Sequence, residues 1–224
     1  MEAEEYFNRG IKRHEDGNYD GAIADYTKAI QSNPNHVPAW ISRGIVWGEK
    51  GEYDKAITDL DEAICLDSND AGVWFLRGVA WNEKNEYDKA ITNYDEAIRL
   101  DPSLVDAWNN RGSAWIEKGE YDKAINDFSE AIRLNPNHVD AWYNRATTWI
   151  GKGEYDKAID DFSEAIRLNP NDARVWNNRG IAWGVKNELN KAIADFDEAI
   201  RLDPNDQNAI KCRSLVVTKN KQNN

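Results

Sequence analysis

Seven arginines recur along the chain at 34-residue intervals: Arg9, Arg43, Arg77, Arg111, Arg145, Arg179 and Arg213. A guanidinium carries five donors in a rigid fork, so a regular row of them could bind anions or pair with carboxylates. The other reactive side chains form no comparable pattern. His14, His36 and His138 have no serine or cysteine at a motif spacing, and no nucleophile–base pair can be assembled from them. Cys65 and Cys212 lie far apart without Cys or His neighbours at metal-ligand spacing, and read as free thiols in a reducing compartment. Carboxylates abound, but at cap and solvent-face positions, and the glycines follow a repeat and not a phosphate-binding loop. The expectation is a non-enzyme with no catalytic residues, no metal and no cofactor.

With 40 Asp and Glu against 28 Lys and Arg, the formal charge is −12. A phosphate backbone is bound by clustered cations that release counterions, so this balance argues against nucleic acid, and against an anionic membrane surface. No apolar run approaches the roughly 20 residues of a membrane-spanning helix. The first residues, Met1 to Phe7, are acidic where a signal peptide is basic and then apolar. A soluble, cytoplasmic chain is expected.

A repeat must position these residues. The chain has 224 residues and ten tryptophans against one methionine. The tryptophans fall in pairs: Trp40 and Trp47, Trp74 and Trp81, Trp108 and Trp115, Trp142 and Trp149, Trp176 and Trp183. Each pair is seven residues apart and recurs every 34, a period that marks a repeat protein. Alignment gives six units, 3–36, 37–70, 71–104, 105–138, 139–172 and 173–206. Within each, positions four, eight and eleven hold apolar or small residues at helical spacing. Position fifteen is Gly17, Gly51, Asn85, Gly119, Gly153 and Asn187, residue types that accept a left-handed backbone just past a helix. Asp20, Asp54, Asp88, Asp122, Asp156 and Asn190 follow three residues later and are expected to cap a second helix. Its apolar face is carried by positions 20, 21, 24, 27 and 28, seen as Ala124, Ile125, Phe128, Ala131 and Ile132, and it ends before Pro34, Pro102, Pro136, Pro170 and Pro204.

The pattern Trp108, Gly112, Trp115, Ala124, Phe128, Ala131 and Pro136 resembles the tetratricopeptide repeat, and all six units match comparably. Arg replaces the usual Leu at position seven throughout, Trp or Arg13 replaces Tyr at eleven, Ser68 replaces a proline and Ala146 a glycine. The resemblance implies an all-α, right-handed α-solenoid of six helix-turn-helix repeats, closed by a capping helix over 207–218 and followed by a polar tail, 219–224. Such pairs bury their faces only by stacking. The tryptophans are expected to be sealed in the junctions, at about 3–5 kcal/mol for each truncation to Ala.

In the family, positions two, five, nine and twelve of the first helices face an inner, concave groove. Position seven then points away from it, roughly 160° to 200° round the helix. The arginines are expected to pair with Asp25, Asp59, Asp127, Asp161 and Asp195 at position 23, leaving Arg77 weakly held opposite Asn93. Phe7, Ile11, Ile41, Ile45, Phe75 and Val79 form an apolar strip toward the N-terminus, either a partner surface or packing between first helices. Asn109, Tyr143 and Asn177 make position five polar further on.

Asn8, Asn110, Asn144 and Asn178 stand at position six, where peptide-binding members of the family hold a ligand's main chain. An amide suits that task, having both donor and acceptor, although hydrogen bonds to neighbouring helices are the competing reading. With no lysine at position five, the family's clamp for acidic chaperone tails is missing, which disfavours that partner. The implied function is a protein-interaction scaffold binding an extended or short helical segment. The alternative is an architectural subunit that self-associates through its apolar N-terminal groove.

Overall fold

The computed structural model describes residues 2–223, so Met1 and Asn224 lie outside it. Among the described residues it contains thirteen helices and no strand. They are α1 (Glu2–Glu15), α2 (Tyr19–Ser32), α3 (Val37–Glu49), α4 (Tyr53–Leu66), α5 (Ala71–Glu83), α6 (Tyr87–Leu100), α7 (Val105–Glu117), α8 (Tyr121–Leu134), α9 (Val139–Gly151), α10 (Tyr155–Leu168), α11 (Ala173–Val185), α12 (Leu189–Leu202) and α13 (Gln207–Asn223). Among the described residues the helices group into two compact units, divided between Ala114 and Trp115. No helix of the described residues is long and apolar enough to cross a membrane.

The turn inside each helix pair is set by position fifteen. Gly17, Gly51, Gly119 and Gly153 have φ between +72° and +76°, and Asn85 and Asn187 have +60° and +62°. The left-handed residue reverses the chain, so that Glu52 N donates to Trp47 O at 2.9 Å and closes the helix end. The second helices end on an extended residue, as at Asn33, which precedes Pro34. Asp67 is equally extended before Ser68, so the proline is not required. The connecting loop is then pinned by the next indole: Trp40 Nε1 donates to Pro34 O, and Trp74 Nε1 to Ser68 O, both at 2.9 Å.

The second helices bury the face read from sequence, with Ala56, Ile57, Leu60, Ala63 and Ile64 as one example. The first helices differ from expectation. Their deepest residues are at positions three, eight and ten, as Ala39, Gly44 and Val46, or Val175, Gly180 and Ala182. Only small side chains fit there, because a first helix packs against both its own partner and the helix before it.

The tryptophans at positions four and eleven are therefore half-buried at the rim and not sealed. Each lies under a cation. Arg43 stands 5.0 Å from the centroid of Trp40 and Lys55 stands 4.4 Å from that of Trp47, and the later repeats copy both contacts. The aspartates at position eighteen do not cap. The residue before each of these second helices occupies the cap position (Asn18 before α2, Glu52 before α4), so the aspartates sit in the first turn. Asp20, Asp54, Asp122 and Asp156 instead pair with Lys50, Lys84, Lys152 and Lys186 of the following repeat.

The last helix also departs from expectation. α13 continues through residues 219–223, which the sequence assigned to a polar tail. Asn220 Nδ2 donates to Asn190 Oδ1 at 3.0 Å, holding this stretch in the place the lysines occupy in earlier repeats.

Candidate functional site

The arginine row is structural. Arg145 donates from Nε and Nη2 to Asp161 at 2.7 and 2.8 Å, and from Nη1 to Ser129 Oγ of the preceding helix at 2.9 Å. Arg43 repeats this with Asp59 and Thr27, and Arg179 with Asp195 and Ser163. Each guanidinium thus ties its own pair to the one before it, using residues 16 positions on and 16 positions back. Arg77 corrects the expected weak point. Its Nε donates to Asn93 Oδ1 at 2.7 Å, but Nη1 donates to Asp61 behind it, so a carboxylate is still supplied. His36 and His138 cap α3 and α9 by accepting from Ala39 N and Ala141 N at 3.1 Å.

With positions four, seven, eleven, fourteen and eighteen committed to packing and pairing, the surface left to vary is the first-helix face. In the first unit, Phe7 packs 5.8 Å from Tyr26 and 4.8 Å from His36, centroid to centroid. Ile41 leans on the cluster of Leu60, Ala63 and Val73, and Phe75 stands 6.0 Å from Tyr94. All three are half-buried, combining the two readings of the apolar strip: one side packs and the other is open. Asn8 is exposed on α1.

Position six depends on position 24 of the preceding repeat. Ser42 hydrogen-bonds the hydroxyl of Tyr26, Leu76 packs on Leu60, and Asn110 bonds the hydroxyl of Tyr94. Burial pushes the Tyr94 hydroxyl far above its ordinary pKa, and the Asn110 hydrogen bond only partly offsets this. Asn110 also accepts from Asn109 Nδ2 at 3.3 Å. Asn110 is therefore engaged in structure already.

In the second unit the same face is polar. Asn178 Nδ2 donates to Tyr143 OH at 3.0 Å, and the Arg174 guanidinium lies 5.3 Å from the centroid of the Tyr143 ring. Asp172 holds Arg174 by two hydrogen bonds of 3.1 and 2.7 Å, and that arginine keeps the Asp172 carboxyl below its ordinary range. Asn144 sits half-buried on α9. Asn177 is 5% exposed, and its Oδ1 is buried without a hydrogen-bond partner.

The face also contains a feature the sequence reading missed. α3, α4 and α5 enclose a cavity of about 320 Å³ lined by Ile45, Gly48, Leu60, Leu76 and Val79, with Glu49 and Glu83 at its edge. Its signal was Leu60 where five repeats carry Tyr or Phe. Among the described residues no group of three or more His, Cys, Asp or Glu could hold a metal ion.

Comparison with known proteins agrees with this geometry. Tetratricopeptide repeat family models match residues 3–36, 82–115, 109–173 and 173–206. Among curated proteins, none matches the chain. Among solved structures, MamA is 29% identical with a TM-score of 0.69, over 74% of this chain and 96% of that one. YrrB, described as a TPR protein with an unusual peptide-binding site, is 23% identical with a TM-score of 0.71, over 84% and 97%. PilF of Pseudomonas aeruginosa is 20% identical with a TM-score of 0.80, over 95% and 96%. The last two likenesses bear on fold alone.

Proposed function

Because the chain belongs to the tetratricopeptide repeat family, we propose that it is a non-enzymatic scaffold that holds an extended or short helical protein segment against its first helices. The orphaned Oδ1 of Asn177 carries this reading. A buried acceptor without a donor costs about 1–3 kcal/mol, and turning that amide outward to a ligand's main-chain N–H would remove that penalty. Asn144 and Asn178 flank it in the repeat register, and amides read a peptide backbone without regard to its side chains. Phe7, Ile41 and Phe75 would then select apolar side chains with their open faces. Acidic ligands are disfavoured by the charge of −12. The free thiols Cys65 and Cys212 suit a reducing, cytoplasmic setting.

The test is selection of peptides from a displayed random library by wild type and by the Asn110→Ala, Asn144→Ala, Asn178→Ala triple variant. Loss of main-chain-dependent binders in the variant is expected, and full retention overturns the asparagine grip. Light scattering should give a mass independent of concentration. A mass that rises with concentration assigns the apolar strip to self-association instead.

A further inference from the structure

We infer that the cavity between α3, α4 and α5 is a side-chain pocket for one aromatic or branched apolar residue of a partner segment that carries Lys or Arg beside it. This rests on the scaffold reading above and gives it a chemical preference.

The pocket arises from one departure from the repeat, at position 24, combined with a glycine at the variable position twelve. At position 24, Tyr26, Tyr94, Phe128, Phe162 and Phe196 are at most 1% exposed and fill the space against the neighbouring first helix. The fit is tight. A methyl added at Gly10 would come within 2.5 Å of the Tyr26 ring, and at Gly78 within 2.6 Å of the Tyr94 ring. In the second repeat the residue is Leu60, whose Cγ stands 3.1 Å from a Cβ built on Gly44, and no ring occupies the space beyond it. The glycine is Gly48, one turn further along α3. A Cβ there would meet nothing within 4 Å.

Together these residues leave a cavity of about 320 Å³, floored by Leu60, Ala56 and Leu76 and walled by Ile45, Val79 and Ala80. That is the small end of the range for ligand pockets and suits one large side chain. An apolar hollow open to water gains from any apolar group that fills it.

The rim decides the occupant. Glu49 and Glu83 line it from the ends of α3 and α5, and Tyr53 OH donates to Glu83 Oε2 at 3.3 Å. His14 Nε2 lies 2.7 Å from Glu49 Oε2. These contacts aim the two carboxylates while leaving each with unused acceptor capacity. An acidic rim on a chain of charge −12 favours a cationic neighbour beside the apolar anchor and repels a carboxylate there.

Three acetylated, amidated nonapeptides test this, identical in Ala, Ser and Gly except for a central Lys-Phe-Lys, Glu-Phe-Glu or Lys-Ala-Lys. Methyl NMR of Ile45, Leu60 and Val79 follows their binding at up to millimolar peptide. The Lys-Phe-Lys peptide should bind at least tenfold more tightly than either control and shift those methyls. Gly48→Met, which projects into open space and should melt no lower than wild type, is expected to weaken it at least tenfold. Leu60→Phe, which restores the ring of the other repeats, should do the same. Glu49→Gln with Glu83→Gln should erase the preference over Glu-Phe-Glu.

Equal binding of the two Phe peptides, no effect of Gly48→Met, or no shift of the three methyls with Lys-Phe-Lys overturns the pocket. The displayed library separates this from the wider reading. Binders kept by Gly48→Met but lost by the asparagine triple variant leave the scaffold standing without the pocket, and binders lost by neither variant remove both.

Discussion

Arg77 donates to Asp61, a carboxylate on the second helix of the preceding repeat, while its partner within its own repeat is the neutral Asn93. The charge missing at position 23 of that repeat is thus supplied at position 25 of the one before. Asp61→Ala should lower stability by about 1 kcal/mol, because it leaves a 17% exposed guanidinium with only an amide. Asp54→Ala, which removes an 84% exposed partner of Lys84, should cost no more than a few tenths. Urea denaturation of the two variants decides it, and equal losses would refute the clasp.

Half-burial of the indoles reverses the ranking expected from residue size. Phe162 is 0% exposed, so Phe162→Ala should cost about 3–5 kcal/mol. Trp142 keeps an open face beside Arg145, and Trp142→Ala should cost about 1–3 kcal/mol. Chemical unfolding of both variants at one protein concentration checks the order.

Two glycines on first helices should respond oppositely to a methyl. Gly78→Ala would drive Cβ to 2.6 Å from the Tyr94 ring, which Asn110 holds by its hydroxyl, and should destabilise by about 1–3 kcal/mol. Gly48→Ala meets no atom within 4 Å and should stabilise by about 0.5 kcal/mol through helix propensity. Thermal melts of the pair give the signs directly.

Asp25 is held below the ordinary carboxylate range, chiefly by its hydrogen bonds from Arg9 and further by the charge of Arg13, against the opposing effect of burial. A depressed carboxyl stabilises the fold above its unfolded pKa, about 3.9, and that contribution fades as pH falls toward the lower folded value. Asp25→Asn should therefore lose stability at pH 7 and show a shallower decline as pH falls below the unfolded carboxylate value. A pH series of denaturation midpoints is the measurement, and parallel curves would refute it.

The helix pairs were legible because their turns need a left-handed residue, and Gly17 or Asn85 at a fixed interval advertises one. The buried second-helix face was legible for the same reason, through Ala, Ile and a ring at helical spacing. Depth on the first helices was not. Tryptophan draws attention as the largest apolar group, yet close helix approach selects Ala39 or Ala114, which carry little signal alone. Asp20 looked like a cap because the lysine it meets is 30 residues away. The pocket was hidden because Leu60 and Gly48 create it by what they lack.

Arg43, Arg77, Arg145 and Arg179 reach sixteen residues forward and sixteen back, and Lys50, Lys84, Lys152 and Lys186 thirty back, so these clasps are defined by an offset and not by an address. Duplicating thirty-four consecutive residues keeps these offsets, whereas cutting out 37–70 would leave Arg77 between Thr27 and Asn93 without a carboxylate. Unequal crossing-over within the coding sequence can therefore lengthen this protein while keeping its offsets, and the second repeat, with its vacant ring position and Asp61, is the copy whose loss would change more than length.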